Sequence, residues 1–86
     1  MKVSVYDTYV PKDGNVKMHF DILVEEGVTL KEVYKYGEKY LDSKGLKGLE
    51  LTTSECQFCH IETAPQNIQD EIKKSGYSII EMENCN

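Results

Sequence analysis

Two thiols and an imidazole stand within five residues in Cys56-Gln57-Phe58-Cys59-His60, and a third thiol, Cys85, lies one residue from the C-terminus. Thiolates and neutral imidazoles are donors that zinc favours, and a short C-x-x-C loop can turn both sulfurs toward one tetrahedral ion. A single C-x-x-C fills half of a coordination shell. Cys85 is the natural third donor and His60 or His19 the fourth, although Cys59 and His60 are adjacent and can bind together only where the backbone turns sharply. The resulting expectation is a zinc site of Cys56, Cys59, His60 and Cys85.

The same residues admit other chemistries. A C-x-x-C thiol becomes a redox nucleophile where a helix N-terminus or a cation lowers its pKa, and Thr53-Ser54-Glu55-Cys56 could open such a turn. Glu55 and Glu62 flank the loop, however, and carboxylates push a thiol pKa up. The helix arrangement and cis-proline of a thioredoxin-like module are missing as well. C-x-x-C-H is also the attachment motif for c-type haem, with Met18 or Met82 as a distal ligand. That reading needs export and an early, helical setting, neither of which the sequence offers. The plainest alternative is structural, because free cysteine is often only a small buried hydrophobe, and Phe58 would then fold the loop partly onto the core.

His19 is a lesser candidate. It falls on the polar face of an alternating segment, with Asp7 and Asp21 near it across a hairpin. An Asp–His pair orients an imidazole for general-base work or metal binding, or serves as a structural hydrogen bond. The sequence shows no glycine-rich phosphate loop, no Ser-His-Asp constellation and no nucleophile elbow. Whether the protein is an enzyme is therefore open.

Positioning these residues requires a frame. Residues 2–10 alternate and are rich in Val, Tyr and Thr, and residues 16–24 alternate again with Val16, Met18, Phe20, Ile22 and Val24 on one face. Pro11-Lys12-Asp13-Gly14-Asn15 between them is turn chemistry, so the two segments form a β-hairpin. Thr29-Leu30-Lys31-Glu32 is a capping box. Behind it Leu30, Val33, Tyr34, Gly37, Tyr40 and Leu41 keep helical spacing, with Gly37 on the apolar face for close packing and Gly45 able to end the helix. Leu49 to Thr53 reads as a third strand, and residues 54–62 as the cysteine loop. Thr63-Ala64-Pro65-Gln66 offers a second capping box, Ala64, Ile68 and Ile72 an apolar stripe, Gly76 a stop, and Tyr77 to Met82 a last strand. The expected fold is one α+β domain over residues 1–86, a two-layer sandwich with a four-stranded mixed sheet and two helices in the order ββαβαβ. A right-handed crossover would make strands 49–53 and 77–82 parallel and bring Cys56, Cys59 and Cys85 to one edge of the sheet.

Bulk properties narrow the function classes. The 86 residues carry a net charge of −5 with no basic stripe, which disfavours nucleic acid and anionic membranes as partners. No apolar run approaches the ~20 residues of a spanning helix. The N-terminus enters its alternating pattern at once without a secretory h-region, so the expected address is the cytoplasm, where thiols stay reduced. An odd count of three cysteines also argues against a disulfide framework.

Taken together, Val5-Tyr6-Asp7-Thr8-Tyr9-Val10, Met18-His19-Phe20-Asp21, Glu55-Cys56-Gln57-Phe58-Cys59-His60, and the Gly76-Tyr77 and Cys85-Asn86 pairs resemble a small bacterial family classified only as a domain of unknown function. The resemblance runs nearly the whole length. It implies a compact α+β domain and carries over no catalytic residue. The expected function is that of an accessory, non-catalytic protein whose cysteine/histidine loop binds a metal such as zinc. The alternative is a thiol-dependent redox protein or enzyme using Cys56 and Cys59. The partner, protein or small molecule, is not specified by the sequence.

Overall fold

Side chains alternate across a strand, so the pairing of the first two strands decides what each face of the sheet carries. In the computed structural model, which describes residues 1–12 and 14–85, β1 (Lys2–Pro11) and β2 (Lys17–Glu25) pair antiparallel from Val3↔Glu25 to Pro11↔Lys17 without a break. Asp13 of the expected turn and Asn86 of the last motif lie outside the described residues. One face takes Thr8 and Val10 with Met18, Phe20, Ile22 and Val24. The other takes Val3, Val5, Asp7 and Tyr9 with His19, Asp21 and Leu23.

Helix α1 (Leu30–Ser43) opens as its sequence requires, with Thr29 Oγ1 accepting the Glu32 N–H at 3.3 Å. It buries Val33, Gly37 and Leu41 against Phe20, Ile22 and Val24. Helix α2 (Gln66–Ser75) lays Ile68 and Ile72, with Ala64 before it, on Val3, Val5 and Leu23. Its N-cap is Pro65 and no side chain caps it, so the expected Thr63–Gln66 box does not form. Gly76, at φ 91°, closes it in the left-handed conformation.

Those two clusters sit on opposite faces of the sheet, which corrects the expected two-layer sandwich. The four strands form the middle of three layers, and β2 is buried on both sides through most of its length. The remaining strands are β3 (Cys56–Thr63) and β4 (Tyr77–Glu83), and the sheet order is β3-β1-β2-β4 with every pairing antiparallel. The expected mixed sheet is therefore corrected too. Helix α2 joins two edge strands that run in opposite directions, so the expected parallel crossover through it does not exist. Among the described residues no helix is long and apolar enough to cross a membrane.

The third strand is also displaced from where it was expected. Residues 49–53 are irregular, and the supposed cysteine loop 54–62 is mostly β3. Leu51 inserts as a core plug beneath α1, its N–H bonded to Glu38 at 2.9 Å. Glu55 then closes a tight turn by accepting from both the N–H and the hydroxyl of Thr52 at 2.8 Å. Gly37 is where plug and helix meet, since a Cβ there would strike Leu51 Cδ1 and come within 2.8 Å of Ile22 Cδ1.

Gly37→Ala tests that contact. Alanine gains about 1 kcal/mol of helix propensity, but overpacking a filled core costs about 1–3 kcal/mol. The expected net loss is about 1 kcal/mol by urea denaturation, and a variant more stable than the parent would show that Leu51 and Ile22 yield freely.

Candidate metal centre on the open half of the sheet

Helix α2 covers the sheet over Val3, Val5 and Leu23. The other half of that face carries Asp7 directly across from Asp21, and Tyr9 directly across from His19. Two carboxylates facing one another across a ladder repel, and here one of them, Asp21, has little water around it while Asp7 stays partly exposed. Asp21 is only 7% exposed. Its carboxyl is pushed up to about 6, chiefly by burial, then by a hydrogen bond with Asp7 and by that neighbour's charge, with His19 and His60 opposing the shift.

The imidazole of His19 lies between the acids, with Nε2 3.7 Å from Asp21 Oδ1 and 3.9 Å from Asp7 Oδ1. Those separations are too long for hydrogen bonds. Both His19 Nε2 and Asp21 Oδ1 are buried without a hydrogen-bond partner among the described residues. The Tyr9 ring stacks on the imidazole at 4.0 Å and 10°, holding its plane. Donor atoms of Asp7, His19 and Asp21 all lie within 4.8 Å of one another. Zinc–nitrogen and zinc–oxygen bonds of about 2.0–2.2 Å place two ligands of one ion up to about 4 Å apart, so the 3.7 and 3.9 Å separations of His19 Nε2 from the two acids suit a shared ion.

A β-bulge divides the cysteine motif between two faces. Cys56 stands across from Thr8 and Phe58 across from Tyr6, on the α1 face. The register then shifts, and Cys59 and His60 together oppose Val5. In a bulge of this kind two successive side chains share one face, and Cys59 Sγ lies 3.1 Å from His60 Nδ1. The sharp turn that their adjacency demanded is thus supplied by the bulge. His60 Nε2 lies 3.2 Å from Glu62 Oε2. Both residues stand on the Asp7–His19–Asp21 face, and Asp7 reaches the Cys59 thiol. Partial desolvation, with Asp7, Asp21 and Glu62 around it, pushes that thiol up.

Cys56 and Cys85 are elsewhere. Both are buried in the core beneath α1, where burial pushes the Cys56 thiol up and Cys85 donates to the carbonyl of His19 at 3.2 Å. The four residues Cys56, Cys59, His60 and Cys85 are therefore split in pairs across the sheet. Phe58, expected on the core, is 55% exposed at the edge. The motif, expected in a loop, lies along β3 instead. The denser donor cluster comes from Asp7, His19 and Asp21, whose signal was charged and imidazole side chains at alternate positions of strands that are otherwise buried.

Two measurements follow. The folded Asp21 carboxyl lies above its ordinary value of 3.8, so the folded state holds this proton more tightly than the unfolded state. That contribution is present below about pH 4 and is lost as pH rises through about 6. With chelator present, wild type should lose about 3 kcal/mol relative to Asp21→Asn across that window. A pH-independent difference would show the carboxyl to be unperturbed. Separately, a thiol reagent should modify Cys59 at once and Cys56 and Cys85 only on unfolding, since only Cys59 is exposed. Rapid reaction of all three contradicts the placement.

The comparisons with known proteins agree with this fold. No curated protein matches the chain. The NMR structure of protein NE1680 from Nitrosomonas europaea, a Northeast Structural Genomics Consortium target, is similar at 40% identity and a TM-score of 0.86. The match covers 100% of both chains. The family described as Domain of unknown function (DUF2024) matches residues 1–82. Over most of its length, and with the α+β fold that its motifs implied, this chain belongs to the DUF2024 family of unknown function.

Proposed function

We propose that this protein is a small accessory metal-binding protein that takes one divalent transition ion, zinc or a similar borderline metal, on the open half of the sheet. Asp7, His19 and Asp21 are its ligands, with Cys59 and His60 at its border. The observation that carries this reading is the pair of buried, unpartnered atoms, His19 Nε2 and Asp21 Oδ1, facing each other at 3.7 Å. Leaving such atoms unpaired costs about 1–3 kcal/mol each, and one cation would satisfy both while neutralising the opposed carboxylates. Two oxygens and one imidazole nitrogen form a hard-to-borderline set that suits zinc, manganese or iron(II) better than copper(I). The thiols Cys56 and Cys85 have no part in it. A Cys56–Cys59 redox pair finds no support, since the two side chains leave the strand on opposite faces.

Native mass spectrometry before and after chelation, with zinc titration calorimetry, tests the reading. One ion per chain is expected. His19→Ala should weaken binding more than about 100-fold, beyond the loss usual for an outer-shell partner, while Cys56→Ala changes it little. Zinc-free protein that takes up no ion, or undiminished affinity in His19→Ala, would refute it.

A further inference from the structure

The two edges of the sheet are not alike. Strand β4 ends its exposed edge with Glu81, Met82 and Glu83, and Glu81 is engaged by Tyr40 and by Lys44 at 2.9 Å. Strand β3 carries one charged residue, Glu62, in Cys-Gln-Phe-Cys-His-Ile-Glu-Thr. It also shows two large apolar side chains to solvent, Phe58 at 55% and Ile61 at 45% exposure. An edge with a single charge and exposed apolar side chains is a template for another strand.

The hydrogen-bond pattern determines which residues can receive that strand. Tyr9 N–H donates to the carbonyl of Glu55 at 2.8 Å, and Ala64 N–H to that of Met1 at 3.0 Å. With Thr8↔Cys56 and Lys2↔Thr63 as facing pairs, these bonds make both pairs of the type that does not exchange hydrogen bonds. Stepping by two, Phe58 and Ile61 are of the same type, so their amide groups point away from the sheet. The outward N–H of Cys56 is already taken by Thr52 at 2.9 Å, which confines an incoming strand to the Phe58–Thr63 stretch.

We propose that a second copy of this chain docks there, its β3 antiparallel to the first, with Phe58 of each copy across from Ile61 of the other. Three features favour self-pairing over an unrelated strand. Of the three outward-pointing residues in that stretch, Phe58, Ile61 and Thr63, the first two are also the exposed apolar ones. The bulge at Cys59 would break a ladder with a regular strand, yet in this register it meets its own copy at the two-fold axis, so the extra residue is matched by an extra residue. The axis runs perpendicular to the sheet and keeps faces together, so Phe58 packs on Ile61 at both ends and Gln57 stands across from Glu62. The product is an eight-stranded antiparallel sheet with an isologous interface, small enough to be reversible.

Sedimentation equilibrium with chelator present tests the pairing apart from any metal. Wild type should dimerise within roughly 10 μM to 1 mM, the range of small interfaces. Ile61→Lys should weaken dimerisation at least about tenfold with an unchanged circular dichroism spectrum. The register is tested by Gln57, which meets Glu62 twice per dimer. Gln57→Lys should tighten association about threefold and Gln57→Glu loosen it similarly, as expected for cross-strand charge pairs. A chain monomeric at 1 mM overturns the proposal, as does an Ile61→Lys variant that dimerises like wild type or two Gln57 variants shifted in the same direction.

Discussion

The register of the β1–β2 hairpin is the constraint on which everything else rests. Nine consecutive pairs, Val3↔Glu25 through Pro11↔Lys17, assign each side chain to a face, and a slip of one residue would exchange the faces completely. In the observed register Met18, Phe20, Ile22 and Val24 all turn to α1. Val3, Val5 and Leu23 turn to α2. The same alternation sends Asp7, His19 and Asp21 to the one part of that second face that no helix covers. Packing and site are thus two outcomes of one register, and neither can shift alone.

The edges refine what the hairpin sets. Each outer pairing carries an irregularity, between Val5 and Tyr6 on the β3 side and between His19 and Phe20 on the β4 side. A bulge costs a ladder position and gains a change of side-chain direction. On β3 it places Cys59 and His60 on one face, beside the acids. On β4 it puts Glu83 across from His19 while Glu81 stays across from Phe20, on the α1 side where Tyr40 meets it. Polar residues that a regular ladder would have scattered are thereby gathered around the hairpin's open half.

The parts of the fold legible in sequence are those where periodicity and burial coincide. The hairpin, the Thr29 cap, the Gly37 contact and the Gly76 stop each follow from a local pattern that the structure keeps. Strand β3 was hidden because an edge strand exposed on most of its length has no apolar alternation, while Leu49–Thr53 imitates a strand with residues that serve as a plug and a turn. The placement of α1 and α2 on opposite faces was equally hidden. Both apolar sets of β2 are buried, yet the expectation of polar residues at Lys17, His19 and Asp21 suggested a solvated face. For the site, the residues were all visible, but their grouping depended on register and bulge. The cysteine motif drew attention because its spacing is local; Asp7, His19 and Asp21 are brought together only by the hairpin.

Energetic scale separates a structural role for this cluster from a binding role. His19 sits beyond hydrogen-bond distance of both acids, so pairing offers little. Burying unpartnered polar atoms and opposing two carboxylates costs more than that. A chain of this size holds only about 5–15 kcal/mol of total stability, and replacing Asp21 by an apolar residue would remove the cost at once. An arrangement that opposes folding, yet is held in place by Tyr9 stacking and a fixed register, favours the proposed metal-binding reading over a purely structural one. In that proposed reading the site is preformed: the fold bears the repulsion beforehand, and a cation would relieve it.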